Sequence, residues 1–169
     1  PNALSFALNE DKSKYSQTSI NLLGYTISKN HIKPDEDRLQ PLLKLRSPSN
    51  HKDLKRALGM FAHYAKWIPH YSDRIRPLIQ IKSFPLSPEM NKLIDTLKTD
   101  IAASMVSAID DNESFLVETD ASDFAIAATL SQRGRPVAFF SRSLSDSELN
   151  HPAIEKEAAA IVEALRKWR

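Results

Sequence analysis

The sequence predicts an α+β chain in three parts: a short β-hairpin, a run of helices, and a unit of three antiparallel strands followed by one helix. Three observations carry this. Leu54, Leu58, Phe61, Ala65 and Ile68 recur at +4, +3, +4 and +3, the spacing of one helix face. Residues 115–120, 124–131 and 136–140 are strand-like runs joined by short links, which read as a meander. Prolines 69, 77, 85 and 88 divide the helical middle.

The elements follow in order. Residues 15–35 read as a hairpin, with a strand at 19–23 continued through 25–27 and a turn at Lys29-Asn30 before His31-Ile32. Pro34-Asp35 offers a helix start, and a short helix covers 38–45. Ser49 or Asn50 caps a helix that runs to about Ile68, where Pro69 stops it. The stretch 69–88 holds at most one short helix, at 73–81. Ser87-Pro88 opens another over 88–106, with Leu93, Leu97 and Ile101 spaced by four. Asp110-Asp111 reads as a turn. After the meander, Asn150 caps a helix that begins at His151-Pro152 and shows the stripe Ile154, Ala158, Ile161, Leu165 and Trp168.

Composition narrows the class. The 169 residues are 41% hydrophobic and 26% charged, ordinary for a globular chain, and Gly 3 and Cys 0 exclude collagen, a disulfide scaffold, thiolate catalysis and Cys-ligated zinc. No apolar stretch approaches the ~20 residues of a membrane helix. The charge is uneven. Residues 1–98 carry 16 Lys/Arg against 9 Asp/Glu, and residues 99–169 carry 7 against 12. Between Arg38 and Lys82, ten basic residues face only Asp53 and Asp73. Such a bias fits a phosphate backbone or, more blandly, a solvated helix face.

Two constellations stand out. At about 100° per residue, Lys55, Gly59, His63 and Lys66 fall on the side of their helix away from Leu54. A glycine inside a helix costs about 1 kcal/mol relative to alanine. Either helix–helix packing at Gly59 or the approach of a foreign backbone accounts for it. The second constellation is Asp120, which ends an apolar strand, with Glu157, which borders the apolar stripe of the last helix. Placed together they would need a proton or a divalent cation between them. Oxygen ligands without cysteine favour Mg²⁺ or Mn²⁺. A turn cap is the plainer role for Asp120.

These stretches together resemble one family. Leu116-Val117-Glu118-Thr119-Asp120-Ala121-Ser122, Ala127 to Gln132, Pro136 to Ser145 and Glu155-Lys156-Glu157-Ala158 through Trp168-Arg169 are similar to the first half of the ribonuclease H domain of gypsy-type LTR-retrotransposon reverse transcriptases. Leu23-Gly24-Tyr25-Thr26-Ile27-Ser28 with Ile32 to Asp35 resembles the end of the polymerase palm. Leu58-Gly59-Met60 through Trp67-Ile68-Pro69-His70-Tyr71-Ser72 resembles the thumb. The resemblance implies four units: a palm end with a hairpin (1–35), an all-helical thumb (36–84), a connecting helix (85–112) and an incomplete ribonuclease H-like α/β unit (113–169).

It also implies roles. Leu23, Gly24 and Tyr25 match the primer grip; Lys55, Gly59 and His63 match thumb positions that follow the duplex, with Lys66 on the same face. Asp120 and Glu157 match two of the carboxylates that hold Mg²⁺ or Mn²⁺ for cleavage of the RNA strand of a hybrid. Tyr-x-Asp-Asp, the polymerase signature, is absent, and the other nuclease carboxylates are expected after Arg169. The resemblance therefore implies a parent enzyme that copies RNA into DNA and degrades RNA in hybrids, and a fragment that grips duplex, cleaves nothing alone and holds no tight metal. The alternative is a non-catalytic connection module or a domesticated retroelement remnant. Expected partners are RNA–DNA hybrid or primer–template duplex and the remaining palm and ribonuclease H segments, with no membrane. The expected location is intracellular, cytoplasmic or within virus-like particles. In the family fold the strand ending at Asp120 lies mid-sheet, so an open edge here predicts self-association through residues 114–120.

Overall fold

The computed structural model describes Ser13 and residues 15–169; the start of the expected 1–35 unit lies outside the described residues. The first sheet is a meander of β1 (Ser19–Leu22), β2 (Tyr25–Ser28) and β3 (His31–Pro34), closed by β4 (Val106–Ser107) against β3. The expected single strand through 19–27 is instead broken at Leu23-Gly24. Both residues have positive φ, 52° and 89°, as a two-residue hairpin turn of the twist-matched kind requires, and Leu22 pairs with Tyr25 across it. The strand at 106–107 was not foreseen, because two residues carry no readable period.

The helices follow their caps. Asp35 accepts from the Asp37 N–H to start α1 (Glu36–Leu43), and Asn50 accepts from the Asp53 N–H to start α2 (His51–His63). α2 ends five residues earlier than the apolar stripe suggests. Ala65–Trp67 tighten into a 3₁₀ turn, which buries Trp67 and Ile68. α3 (Tyr71–Ile79) and α4 (Pro88–Ala103) complete the middle, the latter capped by Ser87 with Pro88 in its first turn. Leu54, Phe61, Ile75, Leu78, Leu97 and Ile101 form the centre of one apolar core that reaches the first sheet through Tyr25 and Ile32.

The second sheet is the expected antiparallel meander: β5 (Leu116–Ala121), β6 (Ala125–Gln132) and β7 (Arg135–Ser143), in that order. α5 (Asp146–Leu149) and α6 (Ala153–Lys167) follow. Asn150 closes α5 rather than opening the last helix, which starts after Pro152. α6 lies over β5 and β6, but not by its apolar stripe. Its buried face is Lys156, Ala160 and Ala164, while Ile154 is 78% exposed and Leu165 59%. The small Ala160 and Ala164 let the helix approach Ile126 and Ala121 closely, and the large residues turn outward. Glu157 is exposed, about 20° round the helix from Ala164, and so borders this buried face as expected.

Arg142 and α5 make an acid-sensitive joint. Both carboxylate oxygens of Glu148 accept from Arg142, each at 2.9 Å, and the Ser145 N–H and hydroxyl each donate at 2.7 Å. The guanidinium, first, and then these Ser145 donors hold Glu148 well below the usual carboxylate range. A depressed carboxylate contributes stability that is complete above its unfolded value, 4.5, and lost as pH falls below it. Thermal unfolding should therefore show a flat midpoint from neutral pH to about 5 and a fall below that. Glu148→Gln should lower stability at neutral pH by about 1.5 kcal/mol and shrink the acid fall.

Candidate nucleic-acid interface and carboxylate site

The β1–β2 turn presents Leu23, 83% exposed, at a sheet tip. Gly24 is favoured there by its backbone, and a side chain would also press on Arg38. The Gly24 φ is +89°, and a Cβ would stand 3.1 Å from Cδ of Arg38. Tyr25 leads back into the protein. Its ring lies 5.9 Å from that of Trp67, and Lys66 places its ammonium 4.5 Å over the ring while bonding the Tyr25 hydroxyl. The hairpin is thus fastened to the residues that follow α2.

The outer face of α2 carries the rest of the basic set. Lys52, Lys55, Arg56, Gly59 and His63 are all exposed, and Lys66 continues the same side after the helix ends. Among the described residues, none of Lys52, Lys55 and Arg56 enters an ion pair, so their charge is free for an outside anion. Among the described residues, nothing lies within 4 Å of the position a Cβ would take at Gly59. Packing against another of the described helices therefore does not account for the glycine. The His63 ring stands edge-on to Tyr64 at 4.9 Å.

The carboxylates occupy the second sheet. Along β5, Ala121 packs with Ile126 and Ala160 under α6, so alternation turns Glu118 and Asp120 to the other face. There Asp120 meets His70, Nδ1 to Oδ2 at 3.6 Å, beside a recess of about 210 Å³ lined also by Glu118 and Thr129. His70 opens α3 in the left-handed region, φ 51°. Several contacts hold α3 against this sheet. The Ser72 N–H donates to the Ser141 hydroxyl at 2.8 Å, the Ser122 hydroxyl donates to Asp73 at 2.8 Å, and Arg76 stacks 3.2 Å over the Phe124 ring. Glu157, on α6, bonds to none of these groups. Among the described residues, no three His, Asp or Glu side chains converge on one point that could hold a metal ion.

Gln132 was missed by sequence reasoning. Its buried amide accepts from the Asp110 N–H and donates to the Asp110 and Glu113 carbonyls, all at 2.9 Å, fixing the expected 110–111 turn to the sheet. His70 was missed as well, since a lone histidine after a proline carries no sign of what it will face.

Residues 86–169 match the RNase H-like domain found in reverse transcriptase, and this half of the chain belongs to that family. Over most of its length the chain is similar to transposon Pol polyproteins. It is 34% identical to the retrovirus-related Pol polyprotein from transposon 297 of Drosophila melanogaster, covering 96% of this chain and 16% of that protein. It is 30% identical to the transposon Tf2-3 polyprotein of Schizosaccharomyces pombe, covering 96% of this chain and 13% of that one. The chain thus spans about a sixth or less of these relatives. In fold it is similar to the foamy viral protease-reverse transcriptase in complex with RNA/DNA hybrid, at TM-score 0.76 and 20% identity, covering 93% of this chain and 23% of that one. The same protein in complex with dsDNA gives TM-score 0.73 at 19% identity, covering 89% and 34%. Among the described residues, no helix is long and apolar enough to cross a membrane.

Proposed function

We propose that this segment grips RNA–DNA hybrid or primer–template duplex within a Pol polyprotein that copies RNA into DNA and degrades the RNA of hybrids. The carrying observation is the unpaired basic face of α2 around Gly59, joined to the Leu23-Gly24 hairpin through Lys66 and Tyr25. In this reading residues 1–35 end the palm and carry the primer grip, 36–84 form the thumb, 85–112 connect and 113–169 begin the ribonuclease H domain. Lysines on one face neutralise successive phosphates, and a glycine facing open space lets a sugar–phosphate backbone approach the helix. The exposed Leu22 and Leu23 offer an apolar tip that suits the sugar and base edges of a primer end.

Asp120 and Glu157 are the carboxylates of the nuclease in this reading. Their oxygens suit Mg²⁺ or Mn²⁺, which when bound supply activated water and stabilise the leaving oxygen. Two carboxylates do not complete such a site, so the segment alone is catalytically incomplete. One observation favours the second reading, a non-catalytic connection module: Asp120 already has a side-chain neighbour in His70.

The binding reading is tested with a labelled hybrid. Lys55→Ala and Lys66→Ala should each weaken binding and flatten its logarithmic salt dependence by about one phosphate equivalent. Unchanged affinity in both variants would overturn the assignment of this face.

A further inference from the structure

Asp120 sits in a cross-strand row that the helical middle of the chain holds directly. It pairs with Ala127 of β6, and Ala127 pairs with Ser141 of β7. Directly paired residues share a face, so all three look away from α6. Ser141 therefore stands two strand spacings, about 10 Å, from Asp120 on the same surface. The neighbouring row on that face is Glu118, Thr129 and Phe139.

Both rows end in the helical half. The Ser141 hydroxyl accepts from the Ser72 N–H at 2.8 Å and donates to the Ser72 hydroxyl at 2.9 Å, and Ser72 is 7% exposed. Phe139 packs against the first core. One residue along α3, Asp73 accepts from the Ser122 hydroxyl, two residues past Asp120. Ile75 and Leu78 of the same helix share the core with Phe61 of α2. Residues 64–70 alone connect α2 to α3, and the 3₁₀ turn among them buries Trp67. A second attachment lies elsewhere. The Ala108 N–H donates to the Asn30 carbonyl at 3.1 Å beside the β3–β4 pair, and Gln132 ties the turn that follows to β6.

We infer that these contacts make a ruler. They hold the basic face of α2 and Asp120 in one body. Ser72, Asp73 and Ser141 are positioning residues that set where along the RNA strand Asp120 acts, counted from the DNA end at the Leu23-Gly24 tip. This rests on the duplex-grip and nuclease readings of the segment and adds the residues that join the two. An apolar contact is non-directional and would let the two surfaces slide. A hydrogen bond fixes distance and direction, so the Ser72–Ser141 and Asp73–Ser122 anchors fix the register.

The chain has no cysteine, so one introduced pair can close and open the joint. The test uses a Pol polypeptide containing this segment and an RNA template carrying a DNA strand with a recessed 3′ end, with the RNA cuts mapped by length. The unaltered polypeptide should cut in a narrow cluster at a fixed distance from the DNA end. Asp73→Ala with Ser141→Ala removes the polar anchors and should raise the detached population about tenfold or more. The cuts should then spread to neighbouring positions, while total cleavage of a long hybrid stays near that of the parent. Ser72→Cys with Ser141→Cys should show the same spread when reduced. Oxidation should restore the narrow cluster, since the two hydroxyls already lie 2.9 Å apart. Neither single-cysteine variant should respond to oxidant.

Scattered cuts by the unaltered polypeptide, a narrow cluster kept by the alanine pair, a cysteine pair indifferent to oxidation, or loss of cleavage with no change in its position would each overturn the inference. Cleavage by Asp120→Asn at the parent's rate is a separate result. It would overturn the nuclease reading, whereas the joint variants decide the ruler.

Discussion

Replacing Phe61 with alanine should cost the chain about 3–5 kcal/mol of stability, the largest effect expected of any single core truncation here. Phe61 is fully buried on α2, beside Leu54 and Ala57 on the same face, in the core shared with α3 and α4. Removing the ring forfeits its burial and leaves a void that Trp67 and Ile75 cannot close without moving the 3₁₀ turn and α3. At this chain length each kcal/mol shifts the unfolding midpoint by about 2–4 °C, so a drop of about 10 °C is the expected size. Leu165→Ala, on the exposed stripe, should change stability by about 0.5 kcal/mol or less. Chemical denaturation of both variants checks the contrast. A Phe61→Ala cost below about 1 kcal/mol would mean that α2 does not organise the core.

Asp120→Asn should abolish hybrid cleavage by a Pol polypeptide containing this segment. The loss should be about a hundredfold or more, the scale on which removing one preorganised charge slows a reaction. Duplex affinity should stay unchanged, because Asp120 lies on the second sheet and the basic face lies on α2. The segment alone should release no product from a hybrid in Mg²⁺ or Mn²⁺. Cleavage by the segment, or an Asp120→Asn polypeptide as active as its parent, would favour the connection-module reading and leave His70 as a plain structural partner of Asp120.

What the sequence made legible follows from range. Asn50, Ser87 and the spacing of Leu54, Phe61 and Ile68 act within a few residues, and the helices they announce are present. The meander was equally readable, since Arg133-Gly134 closes a two-residue turn with both φ values positive, and β-rich runs flank it. Long-range choices were not readable. The α6 stripe looked like a core face, yet Ala160 and Ala164 won because small residues allow a closer approach to the sheet. The pairing of Val106 with Ile32 and the Gln132 clamp join residues far apart in sequence. At the site, the exposed side of α2 and the Leu23-Gly24 tip were legible from periodicity and resemblance. The meeting of His70 with Asp120 required the docking of α3 on the second sheet.

The most direct measurement is the anisotropy of a labelled RNA–DNA hybrid titrated with this chain at 50 and at 200 mM salt. Two phosphate contacts alone give about a tenfold loss of affinity across that range, and more contacts steepen it. Binding at 50 mM that weakens at least that much is the predicted result. No binding at 50 mM, or binding indifferent to salt, would contradict the claim that this segment grips duplex through its basic face.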